Sequence, residues 1–596
     1  LFLVIAGRIY YLTFLQPAFQ APARREIIRG PIMDRRGLAL AITEEASTIG
    51  ISPQDIVDPE FTAEKLSEYL DMTPEDILQK FYINKNRKYF LLRRQLDNVT
   101  ADRIMDLNLP GVRREAEYRR VYPAESLGSN LLGFVGRDQS NALDGLERIF
   151  NQSLLTPEQA APGKGPILSL SLDSLIQYRL EKVLGRAFEE SGSERAVGIL
   201  MHIPTGEILA LANFPNFDPN TYYRSSPFQR NNWAMRFNYE PGSTVKVFMA
   251  AMLLNENLVK EDERFFCSGE VHARHATVRC KSGARTIRHG ALTLEEIIER
   301  SCNVGTIKAM QKMKPEVFHR YLASLGFGRK TDVLPDGVGE TEGYLPDIKN
   351  WLPSSGLYYP IGQGFSLTPL QLVRAGAAIS GQGRLHRPVL VREIRESSGR
   401  VLQRAEPESI QLSYRPEVRK RVASMMAKVV QSGTGKKAYH KSISIIGKTG
   451  TGQKSSAQGY VEKYVVSFLG YFPGDQPEYV GLILFDEPEN NHAGGTLAAP
   501  VFRDFVAEIL PIIQKGKAVR PAEKLEALQP RSPRAMRPGT VPDFRGLSAS
   551  EALTASVKKD LQIELKGSGF VFKQDPAPGG ILRPGQKIIL YLEYVE

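Results

Sequence analysis

The chain has 596 residues, 42% of them hydrophobic, a length that favours several domains over one. The formal net charge is +11, but Lys and Arg are spread along the chain without an aromatic-interleaved basic stripe, which argues against a nucleic-acid partner. The three cysteines, Cys267, Cys280 and Cys302, are too few for a disulfide scaffold and are compatible with an extracytoplasmic protein that relies on its core.

The first element in the chain is apolar. Residues 1–15 are apolar or aromatic apart from Gly7, Arg8 and Thr13. Because such a stretch is shorter than the roughly 20 residues that span a bilayer, we predict that residues 1–20 are the outer end of a truncated transmembrane helix. An amphipathic or core helix is the alternative.

An N-terminal domain is predicted over residues 21–161. It opens with the turn-rich segment Arg29–Gly37 and continues with short patterns such as Phe61–Tyr69 and Ala101–Leu107. No nucleophile is clustered with a base in this region, so we interpret it as a pedestal, a spacer or docking domain. The Gly- and Pro-rich residues 162–166 have the composition of a linker.

Residues 162–515 mix strand and helix patterns and predict an α+β domain with an antiparallel sheet. Two β-rich runs, Tyr464–Phe472 and Tyr479–Phe485, are joined by Pro473–Glu478 and predict a hairpin. The other main predictions are a strand, Ala196–Ile203, and three helices, Val245–Asn255, Leu294–Arg300 and Thr368–Ile379.

The C-terminal part of the chain changes composition twice. Residues 516–539 are rich in Lys, Arg and Pro with little periodicity, which predicts a flexible linker. Residues 540–596 predict a small βα module, with a helix at Ser548–Lys558 and strands at Gln562–Leu565 and Gln586–Tyr594.

A serine that could act as a nucleophile lies in the segment Glu240–Lys246. Pro241 and Gly242 predict a turn, and an apolar helical run begins at Ser243. Lys246, three residues later, lies on the same helix face as Ser243 and can serve as its base. The helix N-terminus favours a developing oxyanion and disfavours an ammonium, so the Lys246 proton is easier to lose there.

The alternative for Ser243 is an ordinary helix N-cap. A capping box would place Glu or Gln three residues later, where this chain has Lys246. A Ser-x-x-Lys pair is common by chance, so its meaning depends on what accompanies it.

Two further segments accompany it. After the predicted helix Leu294–Arg300, Ser301 could relay a proton between Lys246 and a leaving group, and Asn303 could hold a substrate amide. A strand pattern then ends in the run Lys448-Thr449-Gly450-Thr451, where Lys448 supplies positive charge, the two threonine hydroxyls can bind a carboxylate, and Gly450 allows a substrate backbone to pair with the strand edge.

Gly447-Lys448-Thr449 also resembles the end of a phosphate-binding loop. The earlier glycine of that loop is missing, because Ser442 occupies its place, and no clear helix follows. We therefore discount phosphate binding.

Cys267, His272, His275 and Cys280 could be read as four zinc ligands. A disulfide or two free thiols on a hairpin are the preferred alternatives, since loop spacing alone does not determine ligand geometry. We predict no metal among the site residues and no cofactor.

Together, Ser243-x-x-Lys246, Ser301-x-Asn303 and Lys448-Thr449-Gly450 form the three-part pattern of penicillin-binding proteins and class A β-lactamases. The chain resembles the penicillin-binding proteins, and the resemblance extends to the segments Thr205–Ala210, Gly362–Gly364, Leu367–Gln371 and Gly494–Phe502.

The regions outside the catalytic domain resemble one branch of that family. Arg29–Gly37 and Asp144–Glu147 look like the pedestal of the class B, monofunctional members, and Val541–Glu596 is similar to a PASTA domain. No segment resembles a glycosyltransferase. The resemblance implies a transpeptidase domain with an antiparallel sheet and helices on an elongated, dimerisation-type pedestal, in an enzyme of septal type.

The resemblance also implies a mechanism, a peptidoglycan D,D-transpeptidase reaction on D-Ala-D-Ala stem peptides. Lys246 would deprotonate Ser243, the backbone N–H groups of Ser243 and Thr451 would hold the oxyanion, and Ser301 would relay a proton to the leaving D-Ala. Asn303 would orient the donor peptide, while Lys448, Thr449 and Thr451 would hold its carboxylate. A β-lactam would imitate the donor and remain attached.

The implied partners are stem peptides on lipid-linked or nascent glycan, β-lactams, the membrane through an N-terminal anchor, a SEDS-family glycan polymerase and division proteins. The implied location is the bacterial cytoplasmic membrane, single-pass, with the catalytic domain outside the cytoplasm. Two alternatives remain open: a β-lactamase or carboxypeptidase that uses water as acceptor, and a β-lactam sensor or non-catalytic divisome scaffold.

Overall fold

The computed structural model describes residues 28–545 except for 137–140, 160, 162, 274–275, 283–284, 381–382, 457–458, 491–492 and 519–539. In the C-terminal module it describes 547, 552, 561, 563–567, 570–580 and 587–593. The predicted membrane helix and nearly all of the predicted linker 516–539 therefore lie outside the described residues. In the part of the chain that is described, no helix is both long and apolar enough to cross a membrane.

The N-terminal region is built around long antiparallel strands. Its strands are β1 Ile32–Met33, β2 Ala39–Ile51, β3 Phe90–Leu96, β4 Val112–Val121, β5 Phe134–Val135 and β6 Ala142–Asp144. Its helices are Pro59–Ser67, Pro74–Asn84, Asn98–Asp106, Ser129–Leu132, Gly145–Ile149 and Asn151–Leu155, with a 3-10 turn at Pro53–Asp55.

The predicted linker at residues 162–166 and the strand after it are hydrogen-bonded to this region. Ile28 exchanges backbone hydrogen bonds with Gly163 and Gly165, at 2.7 and 2.8 Å. The next strand, β7 Ile167–Leu170, pairs in parallel with β1, with Ile32 opposite Leu168. One sheet thus contains strands from both predicted domains.

The second predicted domain contains the remaining elements before the C-terminal module. Its further strands are β8 Arg195–His202, β9 Ile208–Phe214, β10 Phe265–Cys267, β11 Glu270–Ala273, β12 Ala276–Arg279, β13 Lys281–Ser282, β14 Arg285–Thr286, β15 Gly290–Leu292, β16 Arg384–His386, β17 Val391–Arg395, β18 Val401–Arg404, β19 Ser409–Gln411, β20 Ile446–Ser456, β21 Gly459–Phe472 and β22 Tyr479–Asp486. Its α-helices are Ser174–Ser191, Pro227–Arg230, Trp233–Arg236, Lys246–Asn255, Leu294–Glu299, Asn303–Met310, Pro315–Ser324, Ser355–Tyr358, Pro369–Ser380, Pro416–Gln431 and Ala498–Ala518. The 3-10 turns are Pro219–Arg224, Gly242–Val245, Pro335–Gly337, Ile348–Asn350, Tyr359–Ile361 and Lys436–Ala438.

Two sheets organise the molecule. The first runs in the order β18-β17-β7-β1-β2-β3, with β4 also paired to β2. The second is fully antiparallel and runs β20-β21-β22-β8-β9, so that β20 is an edge strand. The hairpin predicted from Tyr464–Phe472 and Tyr479–Phe485 is confirmed as β21 and β22.

Alternation along the strands places the antiparallel sheet between two layers of helices. Phe468 and Phe472 pack on one face with the helices Ser174–Ser191 and Ala498–Ala518. On the other face Leu469 packs in the cluster that contains the helix Lys246–Asn255. Because side chains alternate between the two faces of a strand, one layer of helices packs on each face of the sheet. The predicted α+β architecture is confirmed.

Local sequence explains where key helices start. Asp173 caps the helix Ser174–Ser191 by accepting from the N–H groups of Leu175 and Ile176. Thr293 and Glu296 form a capping box at the helix Leu294–Glu299, so backbone N–H groups at the start of this helix find hydrogen-bond acceptors within the chain.

The C-terminal module has a three-stranded sheet in the order β23-β25-β24, with β23 Ile563–Gly567, β24 Phe570–Asp575 and β25 Ile588–Glu593. The predicted strands near residues 562 and 586 are confirmed, and β24 was not predicted. The predicted helix Ser548–Lys558 lies outside the described residues, except for Ala552, which is helical.

Candidate active site

The three predicted motifs meet at the edge strand β20. Ser243 lies in the 3-10 turn Gly242–Val245, which leads into the helix Lys246–Asn255. The helix therefore begins more tightly wound than predicted, as helix N-termini often do. Gly242 has φ +57°, and a Cβ on it would lie 2.6 Å from the Thr451 carbonyl oxygen, so the turn needs glycine to approach β20.

Lys246 is fully buried, whereas Ser243 is partly exposed. The Lys246 Nζ donates to the Ser301 carbonyl oxygen at 2.7 Å and to the Asn303 Oδ1 at 2.6 Å, and it lies 3.4 Å from the Ser301 Oγ. The amine thus connects the helix Lys246–Asn255 to the Ser301–Asn303 turn.

Burial lowers the pKa of both lysines in the site. It lowers the pKa of Lys246 to about 8, while the neighbouring Cys302 and Cys280 sulfurs act in the opposite direction. Burial, with the nearby Lys246 charge, also holds the pKa of Lys448 well below its usual range. Two close buried ammonium groups are unfavourable, so the site favours at least one neutral amine.

Ser301 lies between the two lysines. Its φ is +57°, an uncommon value for serine, at the turn between the helices Leu294–Glu299 and Asn303–Met310. Its Oγ accepts from the Lys448 Nζ at 3.0 Å, and Lys246 approaches the same oxygen. The Ser301 hydroxyl is therefore in hydrogen-bond reach of both amines.

Asn303 is held from two sides. Its Oδ1 accepts from Lys246, and its Nδ2 donates to the Arg279 carbonyl oxygen at 3.0 Å. The amide orientation is thereby set by the protein.

Strand β20 carries the remaining predicted residues. Thr449 is buried and its Oγ1 lies 2.8 Å from the Thr434 Oγ1, whereas Thr451 is exposed. A Cβ on Gly450 would lie 2.4 Å from the Ser467 Oγ and 2.8 Å from a Thr244 methyl carbon, so close packing requires glycine at this position. Because residues 446–456 form one continuous strand, they offer no phosphate-binding loop.

Sequence reasoning missed two contributors to the site. Thr434 supports Thr449, and Glu240 accepts hydrogen bonds from the Gly364 N–H at 2.9 Å and the Tyr460 hydroxyl at 3.4 Å. The small-residue turn Ser432–Gly435 was the available signal for Thr434. Glu240 directly precedes the Pro-Gly turn, but nothing in the sequence indicated its distant partners.

The predicted site residues thus come together. Lys246, Ser301, Asn303, Lys448 and Thr449 form one hydrogen-bonded group. Ser243 lies one helical turn before Lys246, and Gly450 and Thr451 lie on the strand beside the group. A partly exposed hydroxyl next to a buried amine of lowered pKa is an arrangement suited to nucleophilic acyl transfer.

Comparison with known protein families identifies each region. Residues 196–507 match the penicillin binding protein transpeptidase domain, residues 25–153 match the penicillin-binding protein dimerisation domain, and residues 539–594 match the PASTA domain.

Individual relatives match over most of the chain. Stage V sporulation protein D of Bacillus subtilis is 30% identical over 99% of this chain and 95% of its own length. The peptidoglycan D,D-transpeptidase FtsI of Escherichia coli is 28% identical over 81% of this chain and 83% of its own length.

Solved structures agree with this assignment. Penicillin binding protein 3 of Mycobacterium tuberculosis, complexed with aztreonam, is 26% identical with a TM-score of 0.65, covering 83% of this chain and 97% of that one. A complex with ampicillin has the same identity and TM-score. The chain belongs to the penicillin-binding protein family, in the class B group that combines a dimerisation domain with a transpeptidase domain.

Proposed function

We propose that this protein is a peptidoglycan D,D-transpeptidase that forms peptide cross-links through an acyl-serine intermediate at Ser243. The single observation that carries the proposal is the environment of Lys246. It is a buried amine, with a pKa lowered to about 8, one helical turn from a partly exposed serine.

The hydrogen bonds of Lys246 support its role as base. A neutral amine has two N–H donors and one lone pair, whereas an ammonium has three donors. The two short hydrogen bonds to the Ser301 carbonyl and the Asn303 Oδ1 use two donors, and the third contact, to the Ser301 Oγ, is longer at 3.4 Å. The lone pair of the neutral form then remains to accept the Ser243 proton. Among the described residues, the Lys246 Nζ makes no hydrogen bond to the Ser243 Oγ, and we expect that bond to form when substrate is bound.

The same residues provide a route for the proton to the leaving group. As Ser243 attacks the D-Ala-D-Ala carbonyl, its proton passes to Lys246. When the C–N bond breaks, the Ser301 hydroxyl donates its proton to the departing D-Ala nitrogen and takes a proton from Lys246 in return. Its hydrogen bonds to both lysines support this relay. The backbone N–H groups of Ser243 and Thr451 stabilise the oxyanion.

Substrate binding falls to strand β20 and the Ser301–Asn303 turn. Asn303 orients the donor peptide, and Lys448, Thr449 and Thr451 attract its terminal carboxylate. The edge position of β20 supports pairing with an extended peptide, because an edge strand has unpaired backbone groups.

We further infer a role in septal wall synthesis, at the outer side of the cytoplasmic membrane, with an N-terminal anchor and a SEDS-family polymerase as partner. The support is the PASTA match, together with relatives that include the FtsI transpeptidase. The relative named for stage V of sporulation makes spore wall synthesis the second candidate.

The test is intact-protein mass spectrometry after incubation with benzylpenicillin, followed over hours for the wild type and Ser243→Ala. We expect one stable adduct on the wild type and none on the variant. An adduct lost within seconds would indicate a hydrolase, and labelling that persists in the variant would exclude Ser243 as the nucleophile. An unlabelled wild type would favour the scaffold alternative.

A stable adduct alone does not separate an enzyme from a β-lactam sensor. Incubating the wild type with a D-Ala-D-Ala stem peptide and an amine acceptor separates them. We expect D-Ala release with formation of the cross-linked product, whereas a sensor would be acylated by the β-lactam and form no product.

A further inference from the structure

All three cysteines of the chain and one histidine converge beside the active site. Cys267 ends β10, Cys280 follows β12, Cys302 precedes the helix Asn303–Met310, and His289 precedes β15. The three thiols are buried and the imidazole is partly buried. Their Sγ and ring nitrogen atoms all lie within 4.8 Å of one another.

Three of the six ligand–ligand distances match those of a tetrahedral metal site. The Cys280 Sγ lies 3.7 Å from the Cys267 Sγ and 3.7 Å from the Cys302 Sγ, and the Cys267 Sγ lies 3.5 Å from the His289 Nδ1. Zinc–sulfur bonds of about 2.3 Å at tetrahedral angles separate two sulfurs by about 3.8 Å. With a zinc–nitrogen bond of about 2.05 Å, sulfur and nitrogen are separated by about 3.6 Å.

Two backbone groups point to the same sulfurs. The Val304 N–H donates to the Cys280 Sγ at 3.5 Å, and the Gly305 N–H donates to the Cys302 Sγ at 3.2 Å. Donors directed at sulfur stabilise the thiolate, which is the form that binds a metal. By contrast, Cys280 lies equally far from two partners, at a separation well beyond the roughly 2.05 Å of a disulfide bond.

We propose that Cys267, Cys280, His289 and Cys302 bind one Zn²⁺ ion as a closed Cys₃His site. Three thiolates with one neutral imidazole are ligands that zinc prefers, and four protein ligands leave no open position, so the ion is structural. Binding releases the thiol protons to solvent.

The histidine in this proposal differs from those suggested by the sequence. His272 lies on β11 with an exposed side chain that contacts Thr277 and Glu270, away from the thiols. His275 lies outside the described residues. His289, 22 residues after Cys267 in the chain, reaches its sulfur because β10 and β15 pair, with Cys267 opposite Gly290.

The ion would hold the Ser301–Asn303 turn in place, an effect that rests on the proposed function. Cys302 lies between Ser301 and Asn303, and Cys280 follows Arg279, whose carbonyl accepts from the Asn303 amide. One ion bound to Cys280 and Cys302 therefore links both sides of Asn303. Without the ion, the turn would lose a constraint that holds Ser301 at a positive φ.

The first experiment measures metal binding in the full chain, purified in detergent under reducing conditions. Elemental analysis should give one zinc per chain for the wild type and for the control His272→Ala. Cys267→Ser and His289→Ala should weaken affinity at least about tenfold in competition with a chelator. Equal metal retention in these two variants, or none in the wild type, would overturn the site.

A second measurement does not depend on variants that fold. Wild-type protein stripped by a chelator is titrated with Co²⁺, which is expected to give strong visible bands of tetrahedral cobalt and a thiolate charge-transfer band that saturate at one equivalent. Weak bands typical of octahedral cobalt would mean an adventitious ion only. A disulfide between any two of the cysteines, in protein whose free thiols are alkylated before any reductant is added, would also overturn the proposal.

The link to activity is tested by the rate at which benzylpenicillin acylates the zinc-loaded, stripped and reloaded wild type. We expect stripping to slow acylation at least about tenfold and zinc to restore it. Equal rates would remove the link and leave the ion a role in the fold alone. If no form is acylated, the proposed function fails, whereas the metal site still stands or falls on stoichiometry and the cobalt spectrum.

Discussion

Burial lowers the pKa values of the two lysines in this site. Lys246 and Lys448 are fully buried within reach of one hydroxyl, that of Ser301, so each disfavours charge on the other. The lowered pKa of Lys246 follows from desolvation, which a helix position alone would not produce. An amine that is neutral in part of the population near neutral pH is what the proposed reaction needs.

The pH dependence of acylation should report Lys246. Burial lowers its pKa and the Cys302 and Cys280 sulfurs raise it, and Lys448 is the other cationic group within reach of the same Ser301 hydroxyl. With a pKa of about 8, the reactive neutral form rises from about a tenth of the population near pH 7 to about nine-tenths near pH 9. The second-order rate constant for a fluorescent penicillin should therefore rise about tenfold over this range.

The matched variant for that profile is Lys246→Arg, whose guanidinium stays charged throughout. We expect it to lose acylation at every pH. A wild-type profile that is flat from about pH 6 to about pH 9 would contradict Lys246 as the base.

Thr434 is predicted to position Thr449. Thr434→Val keeps the shape and removes the hydroxyl that lies 2.8 Å from the Thr449 Oγ1. Loss of one hydrogen bond, about 1 kcal/mol, should lower the acylation rate constant about fivefold, mainly through weaker initial binding of the carboxylate-bearing β-lactam. Saturation kinetics separates binding from acylation, and Thr434→Ser should behave as wild type. A change confined to the limiting rate would contradict this role.

At the scale of elements, strand β20 and the Ser243 turn form one packed unit. Glycines at 242 and 452 let two backbones approach, since a Cβ there would lie 2.6 and 2.3 Å from a carbonyl oxygen. Gly450 lets the strand pack against side chains, since a Cβ there would lie 2.4 Å from the Ser467 Oγ. The Ser243 turn is therefore positioned by packing against the strand that carries Lys448. The predicted strand pattern near residue 446 showed the strand, but not this contact.

Gly450→Ala tests that contact. The new methyl group would clash with the Ser467 Oγ and the Thr244 methyl, and we expect a loss of stability of about 1–3 kcal/mol together with slower acylation. Thermal unfolding and penicillin labelling measure the two effects. Gly356→Ala is the matched control, because no heavy atom lies within 4 Å of the added carbon. Equal behaviour of both variants would refute the close packing.

At the scale of the whole molecule, one sheet and one buried ion network join regions that are distant in sequence. Glu147 accepts from the Arg29 Nε at 2.6 Å and from the Arg120 Nε at 2.7 Å, and all three side chains are buried. Arg120 also donates to the Gly30 carbonyl at 2.9 Å. This network holds the start of β1 against β4, and β1 pairs with β7, which leads into the catalytic region.

Removing the shared carboxylate should destabilise this junction. Glu147→Gln leaves two buried guanidinium groups without their counter-ion, and we expect a loss of about 3–5 kcal/mol in the unfolding free energy. Denaturant unfolding followed by fluorescence measures it. The control Glu68→Gln removes the exposed pair with Lys65 and should leave the unfolding free energy almost unchanged. Similar losses of stability in Glu147→Gln and Glu68→Gln would show that burial does not strengthen the network.

The sequence alone predicted the candidate site residues that the fold brings together, the antiparallel hairpin and the order of the three family domains. These signals are local: Ser243 and Lys246 share one helical turn, and the strands β21 and β22 flank a Pro-Gly turn. Helix and strand periodicity is visible within a short window, so such features can be derived without contacts.

Only the tertiary structure decided how these segments meet. Ser301 lies between lysines that are 55 and 147 residues away in the chain. Three other features also depend on folding: the Thr434–Thr449 contact, the pairing of β7 with β1, and the position of His289 near Cys267. The physical reason is that such contacts are set by packing and side-chain direction across elements, which no local period encodes.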